Sequence, residues 1–192
     1  FSNTILEEVA VLIDREQKEA LARCATSPKK DIRPSIYYGD VYKASNGNVL
    51  YASPKITGFT CYRNIPCHQA IFYDEVLFSQ HLYQARYRIR GDYEHFLWCF
   101  YREKARMIYL NRTIATYEGG GFSEKRENRK LDLEEHQAIT RKYMKKSEIF
   151  RYELLLVLTL RSLRKRLASN HTFTKVYEAF KKRVLYRKER IR

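Results

Sequence analysis

The chain lacks the features of membrane-spanning and P-loop proteins. Its 192 residues contain no apolar run approaching the roughly 18 residues that a membrane-spanning helix requires. Glycine and proline are scarce, with 7 and 4 residues, and neither a glycine-rich P-loop nor a dinucleotide-binding fingerprint is present. We therefore expect no membrane-spanning segment and no P-loop or dinucleotide fold.

The four cysteines lack the spacing of a metal site. Residues 24, 61, 67 and 99 contain no Cys-x-x-Cys pair, and five residues separate Cys61 from Cys67. We expect ordinary thiols in a reducing compartment. Because the sequence opens without a basic and then apolar leader, the expected location is cytoplasmic, at the inner face of the cell membrane if the basic tail binds there.

Positive charge is concentrated at the C-terminal end. The chain has 37 Lys and Arg against 22 Asp and Glu, a formal net charge of +15. Residues 1–140 carry +2 of this charge and residues 141–192 carry +13. This division predicts a near-neutral domain over 1–140 and a basic helical tail over 141–192. It disfavours a nucleic-acid-binding body, because the larger segment has no basic excess.

The order of local patterns indicates an α/β fold. An apolar helix face is predicted near the start of the chain, at Leu6, Val9, Ala10 and Ile13. Residues 36–42 favour a strand, and Asn46-Gly47 predicts a hairpin turn to a return strand over 49–52. The later patterns predict an irregular stretch over 54–66, a strand over 69–73, a helix over 75–80, a helix opening at 91, strands over 107–110 and 113–117, and helix from 131 onward. Helices around a sheet are therefore expected.

Four short motifs give the chain a resemblance to a known enzyme family. They are Ile36-Tyr-Tyr-Gly-Asp40, Asn64-Ile-Pro-Cys-His-Gln-Ala-Ile-Phe-Tyr73, Tyr87-Arg-Ile-Arg-Gly-Asp-Tyr-Glu94 and Tyr117-Glu-Gly-Gly-Gly-Phe-Ser123. Together they resemble the C-terminal half of family 2 glycosyltransferases with the GT-A fold, of the type that builds bacterial capsular and lipopolysaccharide glycans. The resemblance covers residues 1–123. It implies a partial GT-A-like mixed sheet with flanking helices, followed by the basic tail.

The resemblance also implies an activity. Such an enzyme transfers a sugar from a nucleotide-sugar donor to a hydroxyl of a glycan or lipid-linked acceptor in surface polysaccharide biosynthesis, with inversion at the anomeric carbon. Its N-terminal half binds the donor and ends in an Asp-rich motif that holds a divalent cation. We expect this motif, and most ligands of a Mg²⁺ or Mn²⁺ ion, to lie upstream of Phe1, so that residues 1–192 alone are inactive. No metal ligand is assigned within the chain.

Asp92 is the candidate catalytic residue. An inverting transferase needs a group that accepts the proton of the attacking hydroxyl. The resemblance places that carboxylate at the start of a helix, where Gly91-Asp92-Tyr93-Glu94 stands. The alternative is an aspartate that only caps the helix, because Asp is among the residues preferred at an N-cap.

The other candidates are predicted to contact substrate. The resemblance places His68 and Gln69 on the acceptor side, and the alternative is a structural pair that joins a loop to a strand. Asp40 could reach the site from the end of a strand or precede the hairpin turn, and Glu94 could bind substrate or favour the start of its helix. A glycine-rich loop is predicted to close over the diphosphate or to remain a surface loop: Gly120, Gly121 and Ser123.

The basic tail is expected to lie on an anionic membrane surface. Its apolar residues, among them Phe150, Leu154 and Phe180, stand beside many arginines and lysines, as in an interfacial amphipathic helix. A helix that packs on the body with a solvated basic face is the alternative. A different class of function is a non-catalytic basic module that binds nucleic acid or an acidic partner. Nucleic acid is disfavoured because no aromatic stacking residues are interleaved with the charges.

Overall fold

The computed structural model describes residues 4–26, 33–119 and 126–158. The chain divides into two compact units between Tyr143 and Met144. The described part of the first unit contains a mixed four-stranded sheet and flanking helices, so the α/β class predicted from the sequence is confirmed.

The sheet is centred on β1 (Ser35–Lys43). β2 (Asn48–Leu50) pairs antiparallel with the second half of β1, and β3 (Ile71–Tyr73) pairs antiparallel with its first half. β4 (Arg106–Tyr117) runs parallel to β1 along its other edge. Residues 35–41 are all buried, as expected for a strand whose sheet is covered on both faces, because successive side chains point to opposite faces. The predicted Asn46-Gly47 hairpin is confirmed between β1 and β2.

Gly39 is required by the close approach of β1 and β4. A Cβ atom at residue 39 would lie 2.4 Å from Ile114 Cδ1 and 2.5 Å from the carbonyl oxygen of Arg112, closer than packed atoms allow. The ladder shifts register at this point, and Asn111 adopts a left-handed φ of 52°. The two strands predicted over 107–110 and 113–117 are therefore one strand with an irregularity, because a bulge breaks the alternation of side chains without ending the pairing.

Five helices of the first unit surround the sheet in the described residues. They are α1 (Ile5–Thr26), α2 (Gly58–Arg63), α3 (Glu75–Gln80), α4 (Gly91–Tyr101) and α5 (Arg129–Tyr143), and short 3-10 helices lie at His68–Ala70 and Arg126–Asn128. The predictions of α3 and of the start of α4 are confirmed. The prediction of an irregular stretch over 54–66 is wrong for α2. Thr57 is the N-cap of this helix, and its side-chain hydroxyl accepts a hydrogen bond from the Thr60 N–H at 3.2 Å.

The side of α1 that faces the sheet differs from the predicted one. Val9 is buried and Ile13 is half-buried, as predicted, but Leu6 and Ala10 are exposed and Ile5 is buried instead. The correct face follows the spacing i, i+4, i+8 from Ile5. It packs into a core with strand residues and with the end of the first 3-10 helix: Tyr37, Val41, Ala70, Leu110, Ile114 and Ala115.

The second unit begins with α6 (Lys146–Leu158). Phe150, Leu154 and Val157 are 66%, 47% and 72% exposed, and their i, i+4, i+7 spacing places them on one face of the helix. The predicted helix from 131 onward is confirmed over α5 and α6, with a break at Met144 and Lys145. The rest of the predicted tail lies outside the described residues. No helix in the described part of the chain is long and apolar enough to cross a membrane.

Candidate functional site

Asp92 is the second residue of α4. Its Oδ1 accepts a hydrogen bond from the Tyr93 N–H at 2.8 Å, and its side chain is 28% exposed. The N-cap position belongs to Arg90, so Asp92 is not the N-cap aspartate of the alternative interpretation. It is an accessible carboxylate in the first turn, where the unpaired N–H groups of a helix favour negative charge.

His68 lies beside Asp92. The distance from His68 Nδ1 to Asp92 Oδ2 is 3.3 Å, and the histidine side chain is 58% exposed. His68 begins the 3-10 helix whose last residue, Ala70, is fully buried in the core. The buried end of this short helix fixes the position of its exposed end. Two of the predicted site residues, 24 positions apart in the sequence, therefore meet at the start of α4.

Glu135 of α5 holds the turn that leads into α4. Its two carboxylate oxygens accept hydrogen bonds from three successive backbone N–H groups, those of Arg88, Ile89 and Arg90, at 2.8, 3.0 and 2.8 Å. Glu135 is buried, with 6% of its surface exposed, so these bonds satisfy a charge that has little access to water. The backbone just before Asp92 is thereby fixed from a second helix.

The Arg90 side chain adds a second connection between α5 and the turn before α4. Its guanidinium donates to both oxygens of Asp132, from Nε at 2.6 Å and from Nη2 at 3.0 Å, and donates from Nη1 to Asn64 Oδ1 at 3.3 Å. A planar two-point pair of this kind restricts orientation as well as distance. Arg90 thus joins α5 and the end of α2 to the residue pair Gly91-Asp92.

Tyr93 fixes the inner side of the same turn. Its hydroxyl donates to the carbonyl oxygen of Cys61 in α2 at 2.8 Å, and its ring stacks on His136 of α5 at 5.3 Å. His136 Nε2 lies 2.9 Å from the carbonyl oxygen of Tyr62. Burial raises the pKa of Tyr93 well above its ordinary value, so the hydroxyl remains a donor. Asp92 therefore stands on a rigid support built from α2 and α5.

The charge of Asp92 influences three neighbouring groups that stay neutral. Burial raises the pKa of Tyr83, and the charge of Asp92 raises it further. Burial also raises the pKa of Cys67, where the Asp92 charge acts in the same direction against a lowering backbone hydrogen bond. Tyr73, more deeply buried, has its pKa raised mainly by burial. Tyr83, Cys67 and Tyr73 are therefore neutral near pH 7.

Glu94 occupies a separate, fully buried position on α4. It accepts hydrogen bonds from Gln84 at 3.2 Å, from Lys142 at 2.5 Å and from the Tyr143 hydroxyl, and His81 Nε2 lies 3.0 Å from its Oε2. Burial alone would raise the pKa of Glu94, but these partners outweigh it and hold the pKa below its ordinary value. The contacts support a charged anchor between α4 and the end of α5 rather than an open substrate contact.

His95 is enclosed by aromatic rings. It is fully buried, it stacks on Phe78 at 4.3 Å with an interplanar angle of 12°, and Tyr73 and Tyr83 meet its edge at 5.2 Å. Neither ring nitrogen has a hydrogen-bond partner of good geometry in the described structure. Burial lowers the pKa of His95 to about 4, and the neighbouring His81 ring adds to the lowering. His95 is therefore neutral at pH 7.

Asp40 lies within β1 rather than at its end, because the strand continues to Lys43. It is 4% exposed. Its carboxylate accepts from the Tyr109 hydroxyl, at 2.9 and 2.8 Å to the two oxygens, and from the Ala52 N–H at 2.8 Å. These bonds join β1 to β4 and to the segment after β2. The structure thus gives Asp40 structural partners, and its proposed contact with substrate stays a prediction.

The remaining predicted contacts are only partly described. Gln69 is exposed, in the same 3-10 helix as His68. The proposed diphosphate loop lies outside the described residues, at Gly120, Gly121 and Ser123. The described residues contain no group of three or more His, Cys, Asp or Glu side chains placed to hold a metal ion. They do not fit a Mg²⁺ or Mn²⁺ site, and the expectation that its ligands lie upstream of Phe1 stays a prediction.

Sequence reasoning missed the residues that support the site. Asp132 and Glu135 are three positions apart on one helix, which predicts a shared acidic face. This signal is local, however, and it does not show that the acidic face binds the turn before α4. A signal for Arg90 is present in the sequence: a basic residue just before a predicted helix has no favourable interaction with the helix dipole and needs another partner.

Comparison with known proteins identifies similar glycosyltransferases. The chain is 32% identical over 109 residues to a protein of Mycobacterium bovis (strain BCG / Pasteur 1173P2) named PGL/p-HBAD biosynthesis glycosyltransferase, and to a protein of the same name from Mycobacterium tuberculosis (strain ATCC 25177 / H37Ra). The similar stretch covers 56% of this chain and 42% of each relative, so the chain spans less than half the length of these proteins. No family model and no solved structure matches the chain.

The similarity supports the predicted class of enzyme, a glycosyltransferase. Because the similar stretch is 56% of a 192-residue chain, it includes Asp92 wherever it begins. The assignments to family 2 and to the GT-A fold stay predictions.

Proposed function

We propose that this chain forms the acceptor-side part of a glycosyltransferase, which moves a sugar from a nucleotide-sugar to a hydroxyl of a glycan or lipid-linked acceptor in surface polysaccharide biosynthesis. The observation that supports it best is the His68–Asp92 pair, accessible at the start of α4 and 3.3 Å apart, in a chain similar to named glycosyltransferases. The acceptor would approach this pair, with Gln69 exposed beside it to hydrogen-bond sugar hydroxyls.

The proposed reaction inverts the anomeric carbon. The acceptor oxygen forms a bond to that carbon while the bond to the diphosphate breaks, and the nucleoside diphosphate leaves with the electron pair. The hydroxyl must lose its proton as it attacks, and a positioned base contributes typically 10²–10⁴-fold to such a step. The Asp92 carboxylate, alone or with His68, is the proposed source of that base. Its rigid support by Glu135 and Arg90 suits a group that must be held in place.

We propose that the donor and its divalent cation are held mainly outside these residues. The cation would neutralise the charge of the diphosphate leaving group. Asp40, Glu94 and the glycine-rich loop are proposed only as residues that shape the site from this side, and no step of the reaction is assigned to them.

We also propose that the basic tail binds an anionic membrane surface, where a lipid-linked acceptor would be found. The support is the exposed apolar face of α6, formed by Phe150, Leu154 and Val157, together with the charge of +13 on residues 141–192. Apolar and basic residues on one segment are the two attractions that hold a helix at a lipid interface.

The experiment that tests the proposed activity is sugar transfer by the whole protein that contains this chain. A panel of UDP-, GDP- and dTDP-sugars is offered with phenyl and octyl glycosides as acceptors and with Mg²⁺ or Mn²⁺. We expect one donor to give a glycosylated product and a stoichiometric amount of nucleoside diphosphate, and NMR to show the opposite anomeric configuration in the product. Tight binding of nucleic acid with no transfer from any donor would support the non-catalytic alternative instead.

A further inference from the structure

We propose that His68, rather than Asp92 itself, takes the proton from the acceptor hydroxyl, and that Asp92 orients its imidazole ring. This inference rests on the proposed function. The nitrogen that faces the carboxylate is Nδ1, at 3.3 Å from Asp92 Oδ2. A carboxylate at Nδ1 favours the tautomer that carries its hydrogen there, which leaves the lone pair on Nε2 free to accept a proton.

Access to solvent favours the histidine as the group that meets the acceptor. The His68 side chain is 58% exposed, against 28% for Asp92. Both oxygens of Asp92 already have neighbours, Oδ1 the N–H of Tyr93 and Oδ2 the ring of His68. An acceptor that arrives from solvent therefore reaches the ring of His68 more easily than the carboxylate of Asp92.

The chemistry of the two groups points the same way. Histidine is the side chain that most often serves as a general acid or base in enzymes. An aspartate that accepts at its Nδ1 commonly serves to hold the ring in one tautomer and orientation. A separation of 3.3 Å is long for a hydrogen bond, but contacts of this kind are often long before substrate is bound and tighten in the complex.

The proton and the electrons balance in the proposed step. The acceptor O–H bond breaks, and its proton forms a bond to His68 Nε2. The oxygen electron pair forms the bond to the anomeric carbon, and the bond from that carbon to the diphosphate oxygen breaks with its electrons on the leaving group. The positive imidazolium is stabilised by the Asp92 carboxylate at Nδ1 and releases the proton to solvent after the product leaves.

Chemical rescue tests this assignment in the whole protein. With the donor and acceptor that wild type uses, His68→Ala is expected to lower kcat by about 10²–10⁴. Added free imidazole is expected to raise the kcat of His68→Ala at least about tenfold, because a small base can occupy the exposed space that the side chain leaves. His68→Gln, which keeps a polar side chain but cannot accept the proton, is expected to lose as much activity as His68→Ala.

The Asp92 variants supply the control. Imidazole is expected to give no recovery in Asp92→Ala, where the ring is present but not oriented. The double variant His68→Ala, Asp92→Ala is expected to be about as slow as His68→Ala alone, because residues that act as a unit are not additive.

Three results would overturn the assignment. A kcat within about threefold of wild type in both His68 variants, with Asp92→Ala strongly impaired, would make Asp92 the direct base and leave the proposed function intact. Loss without imidazole rescue in His68→Ala would reduce His68 to a positioning residue. Failure of wild type itself to transfer sugar from any donor would remove this inference together with the proposed function.

Discussion

At the scale of single residues, two carboxylates on the first turn of α4 have opposite surroundings. Asp92 is accessible and lies beside an exposed histidine. Glu94, two positions later, is fully buried among His81, Gln84, Lys142 and Tyr143. Residues two positions apart on a helix point in nearly opposite directions, so Asp92 reaches solvent while Glu94 reaches the interior. The environment, rather than the residue type, leaves Asp92 open to solvent and makes Glu94 an internal anchor.

The buried ring of His95 makes a prediction about pH. Its pKa is lowered from 6.5 to about 4 in the folded protein. Below pH 6.5 the unfolded chain therefore binds a proton that the folded chain does not, and stability falls as the pH falls through this interval. The loss amounts to about 3 kcal/mol by pH 4, at about 1.4 kcal/mol for each unit of difference. The measurement is the urea midpoint of unfolding of the whole protein from pH 7.5 to pH 4.5, which should fall as the pH falls.

The variant His95→Phe isolates this effect, because it keeps an aromatic ring against Phe78 and removes the titrating nitrogens. We expect its urea midpoint to depend on pH much less than that of wild type above pH 4.5. The lowered pKa of Glu94 also makes stability fall with falling pH, but only below its ordinary value of 4.5. It therefore does not contribute to the pH dependence between pH 7.5 and pH 4.5. An equal pH dependence in the two proteins would contradict the account of His95.

At the scale of elements, the approach of α5 to the start of α4 positions the candidate site. Glu135 binds three successive N–H groups before α4, and Asp132 binds the Arg90 side chain in the same turn. Both carboxylates come from one face of α5. Helix α5 thus fixes the position of the turn that leads to Asp92, although no residue of α5 is itself a candidate for catalysis.

The exposed apolar face of α6 gives the element-scale prediction. The whole protein is expected to co-sediment with anionic phosphatidylserine vesicles and not with neutral ones, and added salt should weaken this binding, because charge attraction is screened beyond about 8 Å at physiological ionic strength. A salt-resistant part should remain, since Phe150 and Val157 enter the lipid interface. The double variant Phe150→Ser, Val157→Ser should lose that part.

A matched control is available on the first unit. Leu82 is 72% exposed, as much as Val157, and Leu82→Ser should leave vesicle binding unchanged. Equal sedimentation with neutral and anionic vesicles, or sedimentation with neither, would contradict a role of the tail at the membrane. Steeply salt-dependent binding to nucleic acid with little vesicle affinity would favour the other class of function.

Local signals in the sequence predicted the elements better than their contacts. The hairpin at Asn46-Gly47, α3 and the start of α4 depend on neighbouring residues, and each prediction is confirmed. The face of α1 was misassigned because several apolar residues follow one another near its start, and only packing on the sheet selects Ile5 over Leu6. The bulge at Gly39 was missed because it depends on a strand about seventy residues away.

The candidate site shows the same limit. Asp92 and His68 were identified separately, through a resemblance, and their proximity follows from the fold. The bonds of Glu135 to residues 88–90 span more than forty positions, so no local pattern predicts them. Residues that position a site depend on tertiary packing and therefore become visible only in the structure.

At the scale of the whole molecule, the first unit combines a buried sheet with an accessible acid–histidine pair at its α4 side. The sheet and its core fix the 3-10 helix that carries His68, through the buried Ala70. The helices α2 and α5 fix the turn that carries Asp92. His68 and Asp92 are therefore held by two separately supported parts of one unit. Such support suits a group that must hold a fixed orientation.

The most direct test of the account is the activity of Asp92→Asn in the whole protein. We expect kcat for sugar transfer to fall by about 10²–10⁴, with donor affinity in calorimetry within about twofold of wild type, because Asp92 belongs to the pair that serves the acceptor hydroxyl and not the donor. Asp14→Asn, which alters an exposed aspartate of α1, serves as the matched control and should transfer sugar like wild type. An Asp92→Asn protein with wild-type kcat would contradict the central claim that the Asp92–His68 pair removes the proton of the acceptor hydroxyl.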